Sequence, residues 1–143
     1  MLLDGQNLFS DAQAVTAAAA STNYINLSVA RDIGIGEDLY VFLTVDVAMT
    51  DSGSDSVMDV YLRYDTTTTF TPDAQQRIFT VPAVSAIGFK IFGKISPMVS
   101  TRYQYVQLYY DPIGSNLTAG TFTSGIVMGI DKNVPYAKGY TIS

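Results

Sequence analysis

The sequence predicts an all-β domain, an antiparallel β-sandwich or jelly roll of about eight strands. Three observations carry this expectation. Apolar and polar residues alternate with period two over several long stretches, and polar turns rich in Gly, Pro, Asn and Asp separate those stretches. The chain of 143 residues is long enough for one buried core, and nothing in it marks a second domain or an internal repeat.

Taken in order, the N-terminal segment admits two readings. Ser10-Asp11-Ala12-Gln13 has the spacing of a capping box that opens an alanine-rich helix through Ala20. Against this, the alanine run lacks a large apolar stripe, and Ser21 to Leu27 is extended in character. The expectation is an extended N-terminal arm over residues 1–20 that leads into a strand. Ile33-Gly34-Ile35-Gly36-Glu37-Asp38-Leu39 contains G-x-G, but Leu39 replaces the third glycine of a dinucleotide fingerprint, and a strand follows instead of a helix. It reads as a turn.

The clearest alternation runs from Leu39 to Met49. Leu39, Val41, Leu43, Val45, Val47 and Met49 are expected on one face, and Tyr40, Phe42, Thr44, Asp46 and Ala48 on the other. Val57 to Asp65 repeats it, with Met58, Val60, Leu62 and Tyr64 inward and Asp59, Tyr61, Arg63 and Asp65 outward. The polar stretch Thr50 to Ser56 between them predicts an antiparallel pair joined by a mobile loop. Arg77 to Val81 is a short strand stopped by Pro82, and Gly88 to Ile95 is another. Arg102 to Tyr110 is rich in aromatic and β-branched residues and is expected to stop at Asp111-Pro112-Ile113-Gly114. Thr121 to Asp131 closes the series, with Phe122, Ser124, Ile126, Met128 and Ile130 opposed to Thr123, Gly125, Val127 and Gly129.

Composition narrows the chemistry. There is no cysteine, so neither disulfides nor thiolate metal sites are expected, which suits a reducing compartment. There is no histidine, which removes the commonest general base and neutral metal ligand. No serine sits in a nucleophile elbow or an S-x-x-K context. The expectation is therefore a protein that is not an enzyme and carries no cofactor. Asp51, Asp55 and Asp59 lack the alternating spacing of a calcium loop, and read as a solvated acidic connection.

Thirteen acids against eight bases leave a net charge of −5, with no basic cluster for phosphate, so no nucleic-acid partner is expected. No apolar run is long enough to span a membrane, the first residues lack the pattern of a secretory signal, and the chain reads as made in the cytoplasm. Without a signal, the sequons at Asn26 and Asn116 read as turn chemistry. Charged residues make up only 15% of the chain, hydrophobic residues 48%, and ten residues are tyrosine, while Glu37 is the sole glutamate. Protein interfaces favour Tyr and Met and deplete Lys and Glu, so the balance points to protein contacts, against the plainer reading of a tyrosine-rich sheet with no partner.

The opening Met1-Leu2-Leu3-Asp4-Gly5-Gln6-Asn7-Leu8-Phe9-Ser10-Asp11-Ala12-Gln13-Ala14, the Ala-Ser-Thr-Asn run and the Ala30 to Glu37 turn together resemble the jelly-roll capsid cement proteins of tailed bacteriophages. The resemblance is specific over these first forty or so residues and general beyond them. It implies a virion protein on the outer capsid surface, a homodimer that binds the major capsid protein and ties neighbouring capsomers together, and no catalytic residues.

Leu2, Leu8, Phe9, Tyr61, Tyr103, Tyr105, Tyr109, Tyr136 and Tyr140 are the candidate interface residues. Leu8 and Phe9 would anchor an arm lying on a neighbour; the alternative makes the same segment an edge strand of its own sheet. The rings of Tyr103, Tyr105, Tyr109 and Tyr110 also keep open a carbohydrate-binding module, lectin-like or receptor-binding, with loop aspartates on sugar hydroxyls. A carboxylate-based hydrolase would require Asp46 or Asp59 to converge with a second acid in a cleft.

Overall fold

The computed structural model describes residues 8–31, 39–70, 74–95 and 103–127. Its strands are β1 (Leu8–Ala14), β2 (Ala19–Arg31), β3 (Tyr40–Thr50), β4 (Val57–Asp65), β5 (Ala74–Val81), β6 (Lys90–Lys94), β7 (Tyr103–Ile113) and β8 (Ala119–Val127). They form two four-stranded antiparallel sheets, ordered β1-β8-β3-β6 and β2-β7-β4-β5.

The order follows from one long folded ribbon. β1 pairs with β8, β2 with β7, β3 with β6 and β4 with β5, so the first half of the chain lies antiparallel to the second. Rolling that ribbon sends alternate pairs into opposite sheets and brings β3 beside β8 and β4 beside β7. This is the jelly-roll arrangement. Phe9, Leu43, Val45 and Phe122 of one sheet meet Val60, Leu62, Leu108 and Tyr110 of the other in a single core.

Period-two patterning places most core residues where the sequence puts them. Met58, Val60, Leu62 and Tyr64 of β4 are all buried. Their neighbours are not uniformly exposed: Asp59 and Asp65 are buried as well. At Oδ1 each finds the hydrogen-bond donor that water would otherwise supply, while Asp65 Oδ2 is buried with no partner among the described residues. Thr80 Oγ1 donates to Asp59 at 2.5 Å, and the Thr67 backbone N–H donates to Asp65 at 2.9 Å.

In β3 two residues depart from the expected alternation: Phe42, expected outward, is buried, and Val47, expected inward, is turned out. The β8 partners run Val45 with Phe122, Val47 with Thr121 and Thr50 with Ala119, so β3 carries an extra residue at each of the two steps. A bulge flips the faces that follow it. The first leaves Val47 48% exposed, and the second returns Met49 to the core.

β3 and β4 do not form the expected hairpin, because they lie in opposite sheets. Their connection crosses the sandwich and is held by Asp51. Ser56 Oγ donates to Asp51 Oδ2 at 2.9 Å, the Gly53 N–H at 3.2 Å and Ser115 Oγ at 3.4 Å, while the Ser115 N–H donates to Ser56 Oγ at 3.0 Å. Burial opposes ionisation of Asp51, but the hydrogen bonds from Ser56 and from nearby backbone N–H groups outweigh it and hold the carboxyl below its ordinary 3.8.

β7 also runs past its expected stop, through Asp111 and Pro112 to Ile113. Its pairing with β2 extends only to Tyr110, whereas Met58 of β4 still lies opposite Pro112. A proline without an N–H is tolerated there because one side of the strand has become an edge.

The N-terminal segment is extended, and its described part belongs to the protein's own sheet. β1 is an edge strand paired with β8. Its register skips a residue between Leu8 and Ser10, so that Phe9 and Ser10, neighbours in sequence, are both fully buried. At the other margin, β5 and β6 approach closely across the sandwich at Gly93. A Cβ built there would lie 2.1 Å from Ile78 Cγ2 and 3.0 Å from the Ile78 carbonyl oxygen.

Candidate protein-binding face

The outward side of the β2-β7-β4-β5 sheet is built by the alternation that fills the core. With Met58, Val60, Leu62 and Tyr64 of β4 and Val106, Leu108 and Tyr110 of β7 turned inward, Tyr61, Arg63, Tyr105, Gln107 and Tyr109 are left half-buried on the other side. Register places Tyr61 opposite Tyr109, Arg63 opposite Gln107 and Asp65 opposite Tyr105. Residues directly opposite on antiparallel strands touch, so the tyrosines form neighbouring platforms.

Arg63 lies flat on this surface. Its guanidinium carbon sits 3.4 Å from the centroid of the Tyr109 ring, and its Nε donates to Gln75 Oε1 of β5 at 3.2 Å. The ring face attracts the cation, and the Gln75 bond fixes the rotation of the planar group. Tyr24 of β2 is 46% exposed and packs edge-on against Tyr105, with centroids 5.6 Å apart, and tilted against Phe70 at 6.0 Å. Four tyrosines and one arginine thus cover strands β2, β7 and β4.

Acids mark the far end of the same face. Asp59 and Asp111 lie directly opposite one another, a repulsive pairing for two carboxylates. Asp59 is eased by the Thr80 hydroxyl and by Arg77, whose Nη1 lies 3.6 Å away. Arg77 is 61% exposed, so solvent weakens that ion pair.

The residues singled out in the sequence are distributed unevenly. Tyr61, Tyr105 and Tyr109 come together on this face. Leu8 is half-buried on the β1 edge of the other sheet, opposite Gly125. Phe9 is a core residue in this structure, with no side-chain surface for a partner. Tyr103 is buried too, tilted against Tyr64 at 5.7 Å. It lies beyond Tyr105, the last β7 residue paired with β4, and opposite Arg31 of β2, across a register shift that follows the Asn26–Tyr105 pair. Of the rings considered for stacking, Tyr110 is also interior. Leu2, Tyr136, Tyr140 and the Ile33–Gly36 turn lie outside the described residues. Tyr24 and Arg63 were not among the candidates. Alternation alone turns Arg63 outward, and its stacking on Tyr109 depends on strand partners that only the topology supplies.

Stacking, hydrogen bonding and charge pairing are what such a surface can do. Among the described residues the hydroxyls of Tyr61, Tyr105 and Tyr109 form no hydrogen bond within the chain. Asp46 and Asp59, the acids that a hydrolase would need to bring together, lie on opposite sheets. Among the described residues no cluster of three or more His, Cys, Asp or Glu is arranged to hold a metal ion. Asp51 and Asp59 are each engaged separately by the donors described above.

A family model described as Bbp16 matches residues 9–126, which is nearly the whole run from β1 to β8. The chain belongs to the Bbp16 family. The match covers both sheets, so the tyrosine and arginine face lies within the family's own domain and is no addition to it. No curated protein matches the chain.

Proposed function

We propose that this member of the Bbp16 family is a structural virion protein that binds the outer surface of a tailed-phage capsid, contacts the major capsid protein and stabilises neighbouring capsomers against one another. In this reading it works by binding alone, without catalysis or cofactor. The observation that carries the proposal is the outward face of the β2-β7-β4-β5 sheet, where Tyr24, Tyr61, Tyr105, Tyr109 and Arg63 gather the residue types that dominate protein interfaces. The resemblance of the first forty or so residues to capsid cement proteins supports the same reading. A dimer touching two capsomers at once gains avidity from moderate single contacts, which suits a small domain repeated over a lattice. The net charge of −5 keeps such a protein from competing for packaged nucleic acid.

The direct experiment adds purified protein to shells stripped of their outer proteins. Saturable, stoichiometric cosedimentation with raised resistance of the shells to heat supports the reading; absence of binding overturns it. The outward tyrosines also suit a carbohydrate-binding module, because aromatic platforms stack on sugar rings. Retention on a glycan array with no affinity for shells would favour that second reading.

A further inference from the structure

We propose that Arg63 is the specificity anchor of this face and receives a carboxylate side chain, Asp or Glu, presented by the shell subunit. The inference rests on the capsid-binding reading and names the chemistry of the contact. It begins from the way Arg63 is held. The Tyr109 ring lies beneath the guanidinium at 3.4 Å, and Gln75 occupies its Nε at 3.2 Å. Those contacts leave the two terminal nitrogens unassigned, and among the described residues Arg63 makes no ion pair within the chain.

The chain carries thirteen acids and eight bases, yet none of its acids lies directly opposite Arg63. The residues nearest Arg63 across the strands are instead neutral, Gln107 on β7 and Gln75 on β5. A planar guanidinium stacked on an aromatic ring has already lost most of its rotamer freedom, so binding costs less ordering than it would for a free side chain. Its remaining N–H groups form a fork that matches the two oxygens of a carboxylate. The flanking rings of Tyr61, Tyr105 and Tyr24 would exclude water around the pair, which strengthens it relative to an open surface contact. Attraction comes from this local fork and not from the protein's overall field, because a net charge of −5 repels an acidic partner at long range.

The test compares the wild type with Arg63→Met, Arg63→Lys and Lys90→Met for binding to stripped tailed-phage shells, after thermal melting confirms that each variant is folded. Arg63→Met and Arg63→Lys are both expected to lower affinity at least about tenfold, since lysine keeps the charge but not the fork. Lys90→Met, at an exposed position of β6 in the opposite sheet, is expected to bind within about twofold of wild type. If Arg63→Met binds shells as tightly as wild type, the anchor is overturned while the capsid-binding reading stands. If Arg63→Lys alone retains full affinity, a point charge suffices and the fork is overturned. A wild type that ignores shells overturns both, and binding to acidic glycans that is lost in Arg63→Met would reassign the anchor to a sugar acid.

Discussion

At Tyr110 a phenol hydroxyl from one sheet is lodged between two serines of the other. It lies 2.7 Å from Ser10 Oγ and 2.6 Å from Ser124 Oγ, and its ring stacks on Phe122 with centroids 6.1 Å apart. Ser10 Oγ in turn donates to Gln13 Oε1 at 2.6 Å, extending the network to the β1 edge. Among the described residues the Ser124 hydroxyl has no such second partner. Tyr110→Phe is therefore expected to lower unfolding stability by about 1–3 kcal/mol, the cost of stranding a buried hydroxyl. Adding Ser124→Ala should recover part of that loss, and the midpoints of urea denaturation measure both. At Gly93 the constraint is one of space. Gly93→Ala drives a methyl into Ile78, and overpacking of this kind costs about 1–3 kcal/mol, again read from the denaturation midpoint. Alternation turns Tyr61 outward from the sequence alone, whereas it assigns no face to Tyr105 and Tyr109, which stand beside Tyr103 and Tyr110 as candidates until the β4 and β2 partners of β7 are known. The sequence does not separate Tyr103 from Tyr105, since the difference between them lies where the β4 pairing ends and the β2 register shifts.

Among the elements, the strands were more legible than their partnerships. β4 runs over the residues that alternation assigns to it, and β1 and β2 are extended as their composition suggests. The partner of β3 was hidden, because a polar connection reads alike whether it closes a hairpin or crosses a sandwich. The Asp51 network ties that crossing connection to Ser115 after β7, and no local pattern announces a contact between residues that far apart. Ser56→Ala removes a buried hydroxyl that both donates to Asp51 and accepts from the Ser115 backbone. The expected result is a loss of about 1–3 kcal/mol, with faster amide exchange in both loops than elsewhere. Bulges were hidden for a similar reason. The extra residues that turn Val47 out and bring Met49 back are visible only against β8.

For the whole molecule, two buried acids set opposite ends of the pH range. Burial pushes the Tyr64 phenol from 10.0 up to about 12, although the hydrogen bond from Gln76 offsets part of that effect. The folded protein thus keeps its proton where the unfolded chain releases one. Stability is complete below about pH 10 and declines between about 10 and 12, by on the order of 2–3 kcal/mol if no other group contributes. Burial raises the Tyr110 phenol in the same direction, despite its bonds to Ser10 and Ser124. Tyr64→Phe should flatten the alkaline decline in a melting series. Asp51 acts with the opposite sign: its folded carboxyl titrates below 3.8, so the stability it contributes is present above that value and is lost as pH falls through the folded value. Asp51→Asn should shallow the acid limb and leave the alkaline limb unchanged.

The two sheets present two outer faces, and the proposed binding uses that of β2-β7-β4-β5. Cryo-electron microscopy of shells saturated with the protein tests that assignment most directly. The expected map places Tyr61, Arg63, Tyr105 and Tyr109 against the shell, with the β3-β8 face of the other sheet turned to solvent. A map in which those four residues face solvent while the protein is bound would contradict it.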